Sequence, residues 1–508
     1  MRRWFVLLVF VLAVALPRST STATDDGSSG VTSPESGLIL MEIDGLSEPR
    51  LRTALEDGSM PFLASLVANG SHVLGRWETI GSSSTPVTQA GVLHARNQDI
   101  PGYRWWDRDL GRLIEAGDPD GALHMERAVS GPGDLLADGG TSIGNILSGG
   151  AERTLATVSH LGGAGLARDV IRFLLDPHKL TGVFVGLADA LRYELSHTLQ
   201  GQAAAIDPRA KRKAPVPIVG PALESLLIDI VRVAVVEEIL LGTPVVYASL
   251  VTYDEVAHYA GLEHAVAADA LTRIDSALAT IAAAAQTAAP PYRLVVLSDH
   301  GQTPGASFES RYQATLEEVI RDLLTDPASA DSGALGTLPD LVVAASGNLA
   351  HVSFPQSDHR LSAEEIDAMH PGLQLGLASH PGIGVVMAMT DDGELVASGP
   401  DGHHQLLRSL VVGVDPLEPY GPHAAESLRH IGLSRNAGDL VVVSMYDTVA
   451  DEVAPFERQV GSHGGLGGAQ TKAILLYPKE LEPGGAPIEV IGAEALHEKV
   501  RDWMDASG

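Results

Sequence analysis

Short apolar runs that end in acidic residues constrain this chain more than any other feature. LILMEID (Leu38–Asp44) is one, closed by Asp44. YRLVVLSDHG (Tyr292–Gly301) repeats the design, with Asp299 and His300 just past the apolar stretch. Runs of this kind suit parallel strands buried on both faces, because crossover helices cover both sides of such a sheet. PVVYASLVTYDEVAH (Pro244–His258) is a third case, and AGDLVVVSMYD (Ala437–Asp447) reads as a fourth strand of the same sheet. Helical patterns lie between them. Leu226–Leu241 stops at Gly242 and places Asp229, Arg232 and Glu237 near one face, and His264–Gln286 is alanine-rich. Strands alternating with helices predict an α/β fold with a mostly parallel central sheet flanked by helices. Function in such folds sits beyond the carboxyl ends of the strands, which is where these acids and histidines fall.

The chain has 508 residues, 45% of them hydrophobic, enough for one large domain or several ordinary ones around a sizeable core. With 34 Lys and Arg against 64 Asp and Glu, its formal net charge is −30. So acidic a surface argues against nucleic acid as a general partner, since phosphate backbones need basic stripes. It leaves room for one small anionic substrate, because bound cations can reverse the field inside a pocket. There is no cysteine, which excludes disulfides, thiolate-held metals, a cysteine nucleophile and a lipid-bearing N-terminal cysteine. Any metal has to be held by carboxylates, imidazoles or hydroxyls.

Arg2 and Arg3 precede an apolar stretch from Trp4 to Leu16, with small residues Ala13 and Ala15 near its end and Ser21 and Ala23 after it. The pattern is that of a secretory signal peptide, expected over 1–23, and it implies a secreted or cell-envelope protein. An uncleaved N-terminal anchor is the alternative, disfavoured because about 20 apolar residues are needed to span a bilayer. Residues 24–36, rich in Ser, Thr, Gly and Asp, read as a flexible linker, and 37–508 as the catalytic domain. Two insertions are expected within it. One, at about 165–240, carries the basic loop Arg209–Lys213. The other, at about 340–440, is Gly/Pro-rich with short strands. The basic loop reads either as a solvated loop or as a contact for anionic lipid or polymer.

Seven positions carry the chemistry: Asp44, Thr85, Asp254, His258, Asp299, His300 and His463. Thr85 lies in GSSSTPVTQAG (Gly81–Gly91), a polar turn before a helical pattern. Asp254 and His258 are four apart and share a helix face if that segment is helical. His463 lies in GSHGGLGG (Gly461–Gly468), where glycines allow close backbone approach. Each has an ordinary reading by itself, as a turn acid, a surface helical pair or a helix cap. Together, three carboxylates, three imidazoles and a hydroxyl are what two divalent cations and an activated nucleophile require.

Four of these motifs, IDG (Ile43–Gly45), YDEVAHYAG (Tyr253–Gly261), LSDHG (Leu297–Gly301) and GSHGG (Gly461–Gly465), resemble the alkaline phosphatase superfamily in its type I phosphodiesterase/nucleotide pyrophosphatase branch. They follow the family's order over most of the chain. STPVTQAGVLHARNQDIPGYRWWD (Ser84–Asp107) is similar to the nucleophile region of a bacterial subgroup. The resemblance implies one divalent cation held by Asp44, Thr85, Asp299 and His300 and a second held by Asp254, His258 and His463, most simply zinc. In the family the nucleophile precedes a small residue, usually glycine, by ten positions. Ala95 stands there, which selects Thr85, with Ser84 the runner-up. The phosphate-binding asparagine of the nucleotide pyrophosphatases, 21 positions after the nucleophile, is replaced by Trp106. Asn97 or Asn145 would be the substitutes, and Trp105 and Trp106 read either as packing residues or as a stacking surface.

The implied activity is hydrolysis of phosphate esters through a phospho-threonine, of the phosphodiesterase/pyrophosphatase type. The alternatives are a phosphomonoesterase or phosphotransferase of the same superfamily, or a non-catalytic envelope binding protein. A small anionic phosphoester is the expected partner, and peripheral association with a membrane or the envelope is a further expectation.

Overall fold

The structure, a computed structural model, describes residues 36–161, 219–324 and 340–506. The signal-peptide pattern, nearly all of the linker, the basic loop Arg209–Lys213 and most of the first expected insertion lie outside these residues. Among the described residues, no helix is long and apolar enough to cross a membrane.

A central sheet is built from β1 (Gly37–Ile43), β2 (His72–Glu78), β3 (Thr141–Ile143), β4 (Arg153–Leu155), β5 (Val245–Leu250), β6 (Tyr292–Leu297), β7 (Lys472–Pro478) and β8 (Glu489–Ile491). Its order is β8-β2-β7-β6-β1-β5-β3-β4. β6, β1, β5, β3 and β4 run parallel, β2 and β8 run parallel to each other, and β7 alone runs against its neighbours. The fold is thus the mixed α/β arrangement expected, with a mostly parallel sheet flanked by helices. The three apolar runs that predicted strands at Leu38, Val245 and Leu294 form β1, β5 and β6, side by side at its centre.

The strands are apolar throughout because both faces are covered. Successive side chains of a strand point to opposite faces, and the two cores divide accordingly. Leu38 and Leu40 of β1, Val245 and Tyr247 of β5, and Val295 and Leu297 of β6 pack with α1 (Thr85–His94). Ile39, Met41 and Ile43, with Val246, Ala248 and Leu250, pack with α2 (Val219–Leu241), α3 (Thr252–Ala260) and α4 (Ala265–Thr287) on the other side. The C-terminal helix α5 (Ala493–Asp505) shares the α1 face through Leu496, Val500 and Trp503. α2 ends at Gly242, whose φ of +74° suits glycine, and His264 caps α4.

One expected strand belongs elsewhere. Leu440–Ser444 is not part of the parallel sheet. It is the third strand of a separate seven-stranded antiparallel sheet, between Leu349–Ser353 and Ile383–Met389. Both of its faces are covered too, Leu440 and Val442 by one core cluster and Val441 and Val443 by another. A run buried on both sides reads the same in either setting. The stretch expected as an insertion at about 340–440 supplies the other six strands of this sheet.

Candidate metal centre and nucleophile

Asp44 follows β1 directly, Asp254 lies in the first turn of α3 beyond β5, and Asp299 and His300 follow β6. All therefore leave the same edge of the sheet, where the strands' carboxyl ends meet. Gly45 permits the crowding: its φ is +73°, and a Cβ there would lie 2.4 Å from Asp254 Oδ1. Its N–H donates to Asp299 Oδ1 at 3.2 Å, tying the first acid strand to the third.

Asp254 and His258 share one face of α3, with His258 Nε2 3.0 Å from Asp254 Oδ2. His463 arrives from the loop after Gly461–Ser462. Its ring stacks on His300 at 3.8 Å and on His258 at 5.0 Å. The second sheet holds that loop in place. Gly347, in the hairpin between Val342–Ser346 and Leu349–Ser353, packs so closely on the His463 carbonyl that no Cβ fits.

The three imidazoles share one orientation. Nδ1 of His258 lies 2.8 Å from the Gly461 carbonyl, Nδ1 of His463 2.8 Å from that of Ser83, and Nδ1 of His300 3.0 Å from that of Gly301. A carbonyl only accepts, so each Nδ1 carries the proton and each Nε2 points inward. Metal-binding histidines are commonly held this way. The inward nitrogens face other acceptors. His463 Nε2 is 3.2 Å from His258 Nε2 and 3.6 Å from Asp254 Oδ1. His300 Nε2 is 3.1 Å from Asp299 Oδ2, 3.6 Å from Asp44 Oδ1 and 3.3 Å from the Thr85 hydroxyl. Asp44 Oδ1 and Asp299 Oδ2 are buried without a hydrogen-bond partner. Lone pairs converging in a buried place are costly unless protons or cations lie between them. The donor set, oxygen and imidazole nitrogen without sulfur, suits a borderline divalent ion such as zinc.

Two sets of side chains have ligand atoms close enough for one ion: Asp254, His258 and His463, and Asp44, Asp254 and His300. The first is the triad the sequence resemblance implies. In the second, Asp254 also reaches across, so it lies between the two places rather than in one. Asp299 is outside that tight set but touches His300.

The electrostatics express the crowding. Burial, then the neighbouring Asp299 and Asp254, push the Asp44 carboxyl well above its ordinary range. Burial opposes ionisation of Asp254 as well, but attraction to His258 and His463 prevails and holds it far below. Burial works against the His258 imidazolium, yet Asp254 lifts it to about 9, whereas burial and His300 lower His463 to about 3.

Thr85 is the first residue of α1, and Ser84 is the cap residue before it, with extended φ and ψ of −135° and 144°. The preceding hydroxyls are engaged in the fold. Ser82 Oγ donates to the Gly464 carbonyl at 2.7 Å and lies 3.1 Å from Ser84 Oγ; Ser83 Oγ donates to the Gly465 carbonyl at 2.8 Å. The Thr85 hydroxyl instead faces His300. Pro86 has no N–H, and those of Val87 and Thr88 bond to the Ser84 carbonyl, so this helix start offers few amides to an anion. α1 ends at Ala95 with φ +53°, which explains physically why a glycine is usual there.

Residues 232–396 match the family described as type I phosphodiesterase / nucleotide pyrophosphatase. Over that stretch the chain is similar to this family. The matched residues include Asp254, His258, Asp299 and His300, and the match supports a phosphoester hydrolase of the phosphodiesterase/nucleotide pyrophosphatase type. Among solved structures, phosphonoacetate hydrolase from Sinorhizobium meliloti 1021 in complex with phosphonoformate is similar at 15% identity, covering 93% of this chain and 96% of that one, with a TM-score of 0.47. Murine ectonucleotide pyrophosphatase / phosphodiesterase 5 is similar at 12% identity, covering 92% and 95%, with a TM-score of 0.49. No curated protein matches the chain.

Some expectations are corrected. The Asn145 side-chain amide donates to Ser142 Oγ and the Tyr247 carbonyl, and its oxygen lies 2.5 Å from Ser249 Oγ. Asn97 Oδ1 is 2.9 Å from His430 Nε2. The Asn145 amide is committed within the fold and does not replace the missing phosphate-binding asparagine. Trp105 is fully buried in the α1 face of the core, a packing residue, and Trp106 is buried beside it. Sequence reasoning missed Gln302, three residues after Asp299, whose Nε2 donates to both the side chain and the carbonyl of Asp254. Its only signal was proximity to the LSDHG motif.

Proposed function

We propose that this protein is an exported, two-metal hydrolase of phosphate diesters or pyrophosphates that works through a phospho-threonine on Thr85. The observation that carries the reading is the shared orientation of His258, His300 and His463: each gives its Nδ1 proton to a backbone carbonyl and turns Nε2 toward buried carboxylates.

Asp44, Asp299, His300 and Thr85 would hold one divalent cation, and Asp254, His258 and His463 the other. Such a pair supplies charge neutralisation and Lewis acidity at the attacking and leaving oxygens. Thr85 Oγ1 then attacks phosphorus in line. The Thr85 hydroxyl proton passes to solvent, a Thr85 O–P bond forms as the P–O bond to the leaving group breaks, and the leaving oxygen takes its proton from solvent. Water next attacks the phosphorus of the phospho-threonine, releasing the product and returning the hydroxyl of Thr85. Gly45 and the Gly461–Gly465 loop let the acids and imidazoles approach closely.

Export rests on the basic start and apolar stretch of the N-terminus. A zinc-loaded sample assayed on chromogenic monoesters, diesters and nucleotide esters, with and without chelator, tests the reading. Diester turnover that the chelator abolishes is the expected result; turnover indifferent to chelator would overturn it.

A further inference from the structure

α1 carries a second polar side chain toward the sheet. Gln89 lies one turn after Thr85, about 6 Å along the axis at 1.5 Å per residue. It is 1% exposed, and its carboxamide is fully engaged. Gln89 Oε1 accepts from the backbone N–H of Ile146 at 2.8 Å and of Leu147 at 3.3 Å. Since those groups can only donate, the orientation of the amide is fixed. Its Nε2 donates to Glu42 Oε1 at 3.0 Å and to Ser249 Oγ at 3.3 Å.

These partners sit on the strands that deliver the candidate ligands. Glu42 is on β1, two residues before Asp44 and on the same sheet face, and is fully buried in an otherwise apolar strand. Ser249 is directly across from it on β5, the strand that leads to Asp254. Tyr247, also on β5, donates its hydroxyl to Glu42 Oε2 at 2.5 Å, and Ser249 Oγ lies 2.6 Å from Glu42 Oε1. One residue before Gln89, the Thr88 hydroxyl donates to the Asp299 carbonyl at 3.0 Å.

We propose that Gln89 is a positioning residue for Thr85: its amide sets the depth and rotation of α1 against the strands that end at Asp44 and Asp254. An apolar helix face could slide or turn by a fraction of an ångström at little cost, whereas a buried amide with four directional bonds has one seat. Attack geometry is sensitive on that scale. This inference rests on Thr85 being the nucleophile, and the experiment separates the two.

Zinc-loaded protein is assayed on a p-nitrophenyl phosphodiester as the parent, Gln89→Leu, Gln89→Glu, Glu42→Gln, and the exchanged pair Glu42→Gln with Gln89→Glu. Zinc stoichiometry and the melting of the metal-free protein are measured alongside. Gln89→Leu is expected to lower kcat ~100-fold while KM stays within about threefold and zinc binding is kept. The exchanged pair keeps one acceptor toward Ile146 and Leu147 and one donor–acceptor bond between positions 42 and 89, so it should recover at least ~10-fold over Gln89→Glu alone. Parental kcat in Gln89→Leu overturns the proposal. So does loss of zinc in proportion to activity, or an exchanged pair no better than the single Gln89→Glu. If Gln89→Leu does not fold, the exchanged pair decides. Thr85→Ala, run in parallel, reports on the nucleophile itself: turnover at the parental level there removes Thr85 from the reaction whatever the Gln89 variants do.

Discussion

The Thr85 hydroxyl lies 3.3 Å from His300 Nε2, while Ser82 and Ser83 just before it direct their hydroxyls to the carbonyls of Gly464 and Gly465. Four consecutive hydroxyl residues are thus sorted by what they face. Thr85→Ala should lower turnover by ~10³-fold or more with the fold and most of the zinc kept, because the attacking atom is lost while Asp44, Asp299 and His300 remain to hold the cation. Ser84→Ala should cost far less. Thr85→Ser keeps the oxygen but loses the methyl group that restricts χ1, so measurable activity below the parent is expected. Steady-state kinetics and mass spectrometry of trapped protein check this; phosphate trapped on Ser84 would move the nucleophile by one residue.

Removing His258 or His300 should lower zinc stoichiometry and turnover together. No cysteine exists to substitute, and each ring is already aimed by its Nδ1 bond, so a truncated side chain leaves a gap among acids. Elemental analysis of His258→Ala and His300→Ala after dialysis against a fixed free zinc level provides the measurement. Full zinc content with parental activity in either variant would refute the ligand assignment.

Much of this architecture was legible because burial on both faces leaves an unmistakable mark. β1, β5 and β6 were readable as apolar runs, and their acids as the residues at the strand exits. The same mark misled at Leu440–Ser444, since helices and strands covering both faces of an antiparallel strand impose the same composition. The candidate ligands were legible through local motifs, Asp254 and His258 by spacing, Asp299 and His300 by adjacency. Pairings across long separations, such as Gln89 with Glu42, were hidden. Glu42 inside LILMEI was a visible anomaly, a charged residue in a buried strand, but nothing local named its partners. The committed amide of Asn145 was hidden for the same reason.

Ala95 ends α1 in the left-handed region, at φ +53°. An L-residue with a Cβ pays about 1 kcal/mol or more there, while glycine gives back part of the gain through its freer unfolded chain. Ala95→Gly should therefore stabilise the protein by roughly 0.5–1 kcal/mol, with turnover unchanged. A raised urea midpoint at constant slope is the expected readout; a lowered midpoint would show that the Ala95 methyl makes a contact worth more than the strain.

His94 lies at the other end of the nucleophile helix from Thr85. Its fully buried ring sits between two acids, with Nε2 3.3 Å from Glu126 Oε1 and Nδ1 3.0 Å from Asp134 Oδ1. Burial opposes a charged ring, but Asp134 and Glu126 outweigh it and raise His94 to about 9. Burial likewise opposes ionised Glu126, yet His94 and the Ser148 hydroxyl and N–H hold it down to about 2. The two shifts have opposite signs in pH. The raised His94 stabilises the fold fully below its unfolded value near 6.5, and that contribution disappears as pH rises through about 9. The lowered Glu126 contributes above its ordinary 4.5 and stops as pH falls toward about 2. Stability from this cluster should thus be greatest between about 4.5 and 6.5, on the order of a few kcal/mol. His94→Gln removes the charge that pairs both acids. Urea unfolding of parent and variant from pH 5 to pH 10 should give a large difference at pH 5 that shrinks steadily between pH 7 and pH 10. A difference that is constant over that range would mean that His94 acts through packing alone and is neutral in the folded protein.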